Sequence, residues 1–160
     1  MAATLAHLIA TLEVTHEELT RLTATLSDEV LDYHPGPEEW SIREILAHLV
    51  DDEMFVMRTR LERIVREEYP TLVPNDEKLW HSQRNTSRDT VSELLRDFAI
   101  QRAASLNIIG FLREDDWKRT AYHPEEGDLT TEIWVEHWAN HDIVHLRQIE
   151  RNCASYLERQ

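Results

Sequence analysis

The five prolines of this 160-residue chain are confined to three short regions, and this constrains the fold more than any other feature. They are Pro35, Pro37, Pro70, Pro74 and Pro124. Proline in a helix interior removes a hydrogen bond and clashes with the preceding turn. Each of the three regions is therefore predicted to be a link between helices. Only three glycines occur in the chain, so few other breaks are expected.

The segments between these links have apolar residues at the three- and four-residue spacing of amphipathic helices. We predict helices over residues 3–26, 41–68, 88–113 and 130–157. Ser41 and Glu44 have the pattern of a capping box at the start of the second helix. The link over residues 68–86 is too long for a tight turn, which lets the third helix run parallel to the second. Because no strand-like alternation of useful length occurs, the sequence predicts an all-α four-helix bundle, as a single domain over residues 1–160.

The charge and composition of the chain exclude several classes of protein. The sequence has 31 acidic and 17 basic residues, a net charge of −14, whereas a nucleic-acid-binding protein needs a basic surface. No run of about 18 apolar residues occurs, and the N-terminus lacks the pattern of a signal peptide. The single cysteine, Cys153, excludes an internal disulfide and is interpreted as structural. We therefore expect a cytoplasmic protein whose partners include neither nucleic acid nor a membrane.

Nine histidines occur in the chain, and three of them follow one another at four-residue steps. These three are His137, His141 and His145. Residues four apart lie on one face of a helix, about 6 Å apart along its axis, so two imidazoles can share one metal ion. The outer pair is about 12 Å apart, so at most one adjacent pair can do so. Four other histidines are expected at the surface or in loops, without a role: His7, His16, His34 and His123.

The helical phase selects one pair from the three. At about 100° per residue, the inward apolar stripe consists of Trp134, Trp138, His141, His145 and Ile149. His137 falls outside this stripe. The charged residues fall on other faces, at Glu132, Glu136, Asp142 and Glu150. Two buried imidazoles need partners, and on spacing alone these are either a metal ion or hydrogen-bonding groups of the core.

The second helix provides a third inward histidine, His48. It shares a face with three apolar residues, Ile45, Phe55 and Val56. Either Asp51 or Asp52 could orient an imidazole through its carboxylate, or both could be solvated. Three neutral nitrogen ligands leave an open coordination position, as in catalytic metal sites, and imidazole suits zinc, nickel and iron. No HExxH pattern is present, so a zinc-protease mechanism is not indicated.

Two segments, EEWSIREILAHLVDDE and HWANHDIVHLRQI, resemble the two signatures of the DinB-like superfamily, in particular its YfiT-type branch of metal-dependent hydrolases. The middle segment YPTLVPNDEKLW and the later HPEEG also resemble that branch. The resemblance extends over about residues 33–150. It implies an up-down-down-up four-helix bundle with one divalent ion per chain, often nickel or zinc. The ligands would be the three histidines that match the family pattern, His48, His141 and His145.

The resemblance also implies an activity on small molecules. Some members of the superfamily are S-transferases or isomerases that use a low-molecular-weight thiol such as bacillithiol, and YfiT-type members are often homodimers. The chain departs from the branch where additional histidines are expected, at Ala47, Glu53 and Val144. These departures leave the three ligands in place.

Two kinds of function are consistent with these patterns. The chain is either a metal-dependent enzyme, a hydrolase or thiol S-transferase that activates a water or thiol at the open position, or a non-catalytic bundle that binds a metal or small ligand. A third interpretation has the histidines metal-free and hydrogen-bonded. Four aromatic residues are expected to line the pocket or pack in the core: Trp80, Tyr122, Trp134 and Trp138. Glu77 and His81, in the long second link, are candidates for an additional acid or base.

Overall fold

Residues 4–160 are described by the computed structural model of the chain. The helices are α1 Leu5–Thr23, α2 Asp28–Leu31, α3 Ile42–Asp52, α4 Arg58–Arg66, α5 Glu77–Gln83, α6 Val91–Phe111 and α7 Thr131–Glu158. A π-helical turn, Glu53–Met57, joins α3 to α4, and 3-10 turns occupy Thr86–Arg88 and Glu114–Lys118. Two strands, β1 Thr120–His123 and β2 Gly127–Thr130, form an antiparallel hairpin. The four long helices lie close to the predicted ranges.

Side chains at the helix starts explain where the helices begin. The predicted capping box is confirmed, since the backbone N–H of Glu44 donates to the hydroxyl of Ser41 and that of Ser41 donates to the carboxylate of Glu44. Thr90 and Glu93 form a second capping box at the start of α6. Thr130 caps α7 by accepting from the N–H of Ile133 at 3.1 Å. Each cap satisfies backbone donors that the first helical turn leaves without partners.

Two apolar cores reveal the direction of each helix. One contains Leu8 and Leu12 of α1, Leu61 and Ile64 of α4, Ile109 of α6, and Trp134 and Trp138 of α7. The other contains Leu19 of α1, Ile42 and Ile45 of α3, Leu94 and Phe98 of α6, and Ile149 of α7. Both α1 and α7 therefore run from the first core to the second, whereas α3–α4 and α6 run the other way. This is the up-down-down-up bundle, as predicted.

A polar layer separates the two cores at mid-bundle. Arg102 of α6 donates to the carboxylates of Glu53 and Asp142, with N···O distances of 2.7 Å to each. The hydroxyl of Thr15 donates to Asp142 at 2.6 Å, and the indole of Trp138 donates to Glu53 at 2.9 Å. We call Thr15, Glu53, Arg102, Trp138 and Asp142 the arginine network. The expectation that Asp142 lies on an outward face is wrong, because its ion pair with Arg102 lets it be buried.

The π-helical turn changes the phase of the second helix. In this turn Glu53 lies in the core, only 2% exposed, and Phe55 lies at the surface, 51% exposed. The hydroxyl of Thr59 donates to the carbonyl of Met54 at 3.1 Å, within the widened turn. The expectation that Phe55 shares the buried face of His48 is therefore wrong, since it assumed a regular helix. Turns of this type are frequent at functional sites.

Two connections contain more structure than the sequence predicts. The crossover over residues 67–90 returns along the bundle and contains α5, where only a long link was expected. The link before α7 forms the β1–β2 hairpin, which corrects the expectation of no strand. Each strand has only four residues, too few for a readable alternation, and Gly127 adopts the positive φ of 80° that the hairpin requires. Within residues 4–160, no helix combines the length and apolar character needed to cross a membrane.

Candidate metal centre

Three histidines from two helices converge beside the arginine network. His48 of α3 and His141 and His145 of α7 each offer a ring nitrogen, and all three nitrogens lie within 4.8 Å of one another. The Nε2 atoms of His48 and His141 are 3.1 Å apart. We call these three residues the histidine cluster. It is the set that the helical phase and the family resemblance indicate.

Gln148 fixes the orientation of one ring in the cluster. Nδ1 of His145 lies 2.8 Å from the side-chain oxygen of Gln148, one turn further along α7. Because that oxygen only accepts, Nδ1 of His145 carries the proton and its Nε2 is left with a lone pair. The sequence reasoning missed this contact. A polar residue three positions after a candidate ligand was the available signal, since such residues share a helix face.

Burial sets the protonation of two of the three rings. It lowers the pKa of His48 to about 3 and that of His145 to about 4. Burial also opposes the charge on His141, but the hydrogen bond and charge of Asp52 outweigh it and raise the pKa of His141. His48 and His145 are therefore neutral at pH 7, the form in which imidazole binds a metal ion.

Carboxylates adjoin the histidine cluster on one side. Oδ2 of Asp52 lies 3.5 Å from Nε2 of His48 and 3.4 Å from Nε2 of His141. Asp52, Glu77, His48 and His141 form a second group whose ligand atoms all lie within 4.8 Å of one another. Glu77 is exposed, but partial desolvation of its carboxylate at the cavity and the charge of Asp52 raise its pKa. The arrangement offers either three nitrogen ligands with carboxylates nearby, or a mixed nitrogen and oxygen set.

Asp51 points to the crossover and does not contact the histidine cluster. Its carboxylate accepts from the indole of Trp80 at 2.8 Å and from Nε of Arg84 at 2.6 Å. Arg84 also contacts Asp89 at 3.2 Å, so these residues tie α5 to the bundle. Of the two aspartates considered from the sequence, Asp52 adjoins the imidazoles and Asp51 positions the segment that carries Glu77. Both are buried, so neither is simply solvated.

Two adjoining cavities open beside Asp52. The first, which we call the apolar cavity, has a volume of about 180 Å³ and apolar walls formed by Phe55, Val56, Val73, Pro74 and Trp80. The second, the acidic cavity, has a volume of about 220 Å³ and is lined by Asp52, Glu77, Glu125, Glu126, His137 and His141 among others. Asp52, Val56, Arg60 and Asn75 line both. His141 therefore faces a space that a small molecule could enter.

The other residues singled out from the sequence lie around these cavities or away from them. Trp138 is a core residue and Trp134 is a core residue that also lines the acidic cavity, whereas Trp80 lines the apolar cavity. Tyr122 is 40% exposed in β1 and lines neither. His81 stacks on Trp40, with ring centroids 4.6 Å apart, and Trp40 separates it from His48.

Two of the remaining histidines line the acidic cavity outside the histidine cluster. His137 is paired with Glu126 at 3.1 Å, at the rim of the cavity. His123 is only 2% exposed, and its Nδ1 accepts from the N–H of Glu125 at 3.2 Å. The expectation that His123 lies at the surface or in a loop is wrong, because His123 is the last residue of β1 in the unforeseen hairpin and is buried there. Cys153 packs beside the second core, as expected of a structural residue.

A family model described as the DinB superfamily matches residues 11–149, a range that includes α3, α4 and α6, most of α1 and α7, and the whole histidine cluster. The chain belongs to the DinB superfamily. Proteins similar to it include YuaE of Bacillus subtilis (strain 168), 32% identical over 136 residues, which are 78% of this chain and 84% of YuaE. They also include YfiT of the same organism, described as a candidate metal-dependent hydrolase and 25% identical over 89% of this chain and 82% of YfiT.

Two solved structures agree with the fold. The structure of Bacillus subtilis YfiT, described as having an unusual four-helix bundle topology, matches with a TM-score of 0.78 and 24% identity, over 96% of this chain and 91% of YfiT. A conserved protein from Enterococcus faecalis matches with a TM-score of 0.68 and 10% identity, over 98% of this chain and 99% of that one. The bundle is therefore shared at low sequence identity.

Proposed function

We propose that this DinB-superfamily protein is a metal-dependent hydrolase of small molecules, with one divalent ion held by His48, His141 and His145. One observation carries the proposal: three ring nitrogens from two helices lie within 4.8 Å of one another beside a cavity. Relatives described as candidate metal-dependent hydrolases support the class of reaction. Zinc and nickel are the first choices for the ion and iron the next, since imidazole suits all three.

The donor set fits a divalent ion of this kind. Ligand nitrogens at 2.0–2.1 Å from a tetrahedral zinc ion are roughly 3.4 Å apart. The 3.1 Å between the Nε2 atoms of His48 and His141 is close to that separation. Gln148 supports the fit, because its contact with Nδ1 of His145 leaves the other ring nitrogen free to bind. The same 3.1 Å also suits a direct hydrogen bond between the two rings, and metal analysis separates these two possibilities.

The residues around the cluster favour hydrolysis over the other reactions considered. When bound, a divalent ion lowers the pKa of a water or thiol and polarises a substrate oxygen. Asp52 adjoins two of the imidazoles and lines the cavities, so its carboxylate is placed to accept a proton. Glu77 has a raised pKa and lies on the same side, which suits a group that returns a proton to a leaving group. A pair of carboxylates assists the reaction of water more than that of a thiol, because a thiol ionises more readily without a base.

Metal content tests the first half of the proposal. Protein purified without a polyhistidine tag should contain about one divalent ion per chain by elemental analysis. The variants His48→Ala, His141→Ala and His145→Ala should each lose most of it, whereas His137→Ala, altered on the same helix, should retain it. No metal in the wild type after incubation with zinc or nickel, together with unchanged stability of His141→Ala, would overturn the proposal in favour of hydrogen-bonded histidines.

Activity assays test the second half. Metal-loaded protein is incubated with panels of small esters, amides and phosphoesters, and in parallel with low-molecular-weight thiols and a bimane electrophile. We expect hydrolysis that a chelator removes and that Asp52→Asn lowers by at least a hundredfold, with the metal content retained. Metal-dependent thiol conjugation without hydrolysis would identify an S-transferase instead. Full metal content with neither activity would support a non-catalytic metal-binding bundle. Light scattering on the same samples tests the expected homodimer.

A further inference from the structure

Arg60 of α4 is a buried cation without a carboxylate partner. The residue is only 9% exposed, and within residues 4–160 no carboxylate oxygen lies within 4.0 Å of its guanidinium. One terminal nitrogen donates to the carbonyl of Val73 at 2.7 Å, and the guanidinium carbon lies 5.0 Å from the ring centre of Trp134. Burying an unpaired charge is costly. In a chain with a net charge of −14, carboxylate partners are abundant, so the missing partner is informative.

The free part of this guanidinium is accessible from the cavities. Nε and the second terminal nitrogen have no hydrogen-bond partner among the described side chains and backbone. Yet no fully enclosed side-chain nitrogen or oxygen lacks a partner in that part of the chain. These two nitrogens therefore reach solvent. Arg60 lines both cavities, so these nitrogens are placed to meet a molecule in the space that the cavities share beside Asp52.

The neighbouring charges indicate which cavity would receive an anion. In the apolar cavity, Asp51 is paired with Arg84 and Arg63 with Glu67, which leaves the cation of Arg60 and one carboxylate, that of Asp52, which adjoins His141. The acidic cavity is lined by four carboxylates, those of Asp52, Glu77, Glu125 and Glu126. These repel an anion. An anionic group is therefore favoured on the side of Arg60 that faces the apolar cavity.

We infer that Arg60 binds an anionic oxo group, a carboxylate or a phosphate, of the substrate. A guanidinium offers parallel N–H donors that match two oxygens of such a group. The apolar remainder of the molecule lies against Phe55 and Trp80, whose ring centroids are 5.4 Å apart. Since Arg60 and Asp52 line both cavities, one small molecule can contact Arg60 while its reacting bond faces the histidine cluster. That the bound molecule is a substrate rests on the proposed function, whereas the anion site itself does not need it.

Calorimetric titration with three matched probes tests this site. Benzoate and phenylphosphonate carry the anionic group on an aromatic ring, and benzamide is their neutral counterpart. The titrations use the full chain, both treated with a chelator and loaded with zinc. We expect the chelator-treated wild type to bind at least one of the two anions at least tenfold more tightly than benzamide. A preference between the two anions would identify the group.

Variants assign the effect to Arg60. Arg60→Met should weaken binding of the anions at least tenfold and leave benzamide binding within twofold. Arg60→Lys, which keeps the charge but loses the planar donors, should give an intermediate loss, and it serves if Arg60→Met fails to fold. Arg63→Met is the matched control, because Arg63 lines the same cavity but is paired with Glu67. It should bind the anions within twofold of the wild type.

The outcomes separate this inference from the proposed function. Arg60-dependent anion binding by a protein that fails to bind zinc would support the inference and remove the metal proposal. Normal zinc binding with equal affinity for benzoate, phenylphosphonate and benzamide would overturn the inference and leave the metal proposal. Anion binding that appears only after zinc loading and is unchanged in Arg60→Met would also overturn it, because the anions would then bind the ion.

Discussion

The arginine network and the histidine cluster are neighbours in the bundle. The network is closed, in the sense that its polar groups have protein partners, whereas the cluster is open to a cavity. Asp52 adjoins the cluster and Glu53 belongs to the network; His141 and Asp142 divide in the same way. In the network, carboxylates face a guanidinium, a hydroxyl and an indole, and their partners are all protein groups. In the cluster, two neutral imidazoles, His48 and His145, face His141, whose pKa is raised, beside a cavity. Adjacent residues on two helices thus supply a structural core on one side and a candidate binding site on the other.

Removal of Arg102 from the arginine network should cause the greatest loss of stability. Arg102→Met should leave Glu53 and Asp142 buried without their cation, and removing one partner of a buried ion pair costs about 3–5 kcal/mol. Urea denaturation of the metal-free protein measures this loss in the free energy of unfolding. Arg58→Met, on the neighbouring helix and bonded only to Gln101, is the control and should lose much less. A loss below about 1 kcal/mol for Arg102→Met would mean that the network is not a closed structural unit.

Binding of zinc at the histidine cluster should stabilise the folded protein by a smaller amount. Zinc at a free concentration 100 times its Kd should raise the free energy of unfolding by about 2.7 kcal/mol, because it binds only the folded chain. The gain should disappear in His141→Ala and persist in His137→Ala. Denaturation with and without zinc measures it. An equal gain in His141→Ala would show that zinc binds elsewhere, and would break the distinction between the two regions.

The contact between Gln148 and His145 should matter for the metal and little for the fold. Loss of a group that orients a metal ligand typically lowers metal affinity by about 10–100-fold. Gln148→Leu should show a loss of this size for zinc, measured by competition with a chromogenic chelator. Arg147→Leu, at the adjacent position on α7, is the control and should keep wild-type affinity. Unchanged zinc affinity in Gln148→Leu would mean that His145 needs no orienting partner.

Removal of one hydrogen bond from the arginine network should have a small effect on stability and none on metal binding. The hydroxyl of Thr15 donates to Asp142 at 2.6 Å and is fully buried. Thr15→Val should reduce the free energy of unfolding by about 1.5 kcal/mol, typical of a hydrogen bond to a charged group, and leave zinc affinity within twofold. Parallel denaturation and zinc titration measure both. A large change in zinc affinity would show that the two regions are energetically coupled.

The sequence predicted the bundle and the inward pair His141 and His145 because both depend on local periodicity. A 3.6-residue repeat assigns His141 and His145 to one face and excludes His137, without reference to any other helix. The direction of the third helix also came from a local property, the length of the crossover. For His48, the family resemblance supplied what the periodicity of a single helix could not.

The misses have three different physical causes. Asp142 was assigned to an outward face because the partner that makes its burial favourable, Arg102, lies 40 positions away on another helix. A regular helix places Phe55 on a buried face. One π-helical turn shifts the phase of the residues within and after it, and this turn was not foreseen. His123 and the hairpin were missed because strands of four residues have no readable period.

The parallel arrangement of α3–α4 and α6 has a consequence for how this protein could acquire new substrates. Helices that run the same way need a connection that returns along the bundle, and here that connection contains α5 with Glu77 and Trp80. The walls of the two cavities are thus built partly from a segment that lies outside the four long helices. Insertions or substitutions in this crossover can reshape the entrance while the histidine-bearing helices stay unchanged. The topology thus places the crossover, which forms part of the cavity walls, in a separate segment from the helices that carry the histidine cluster.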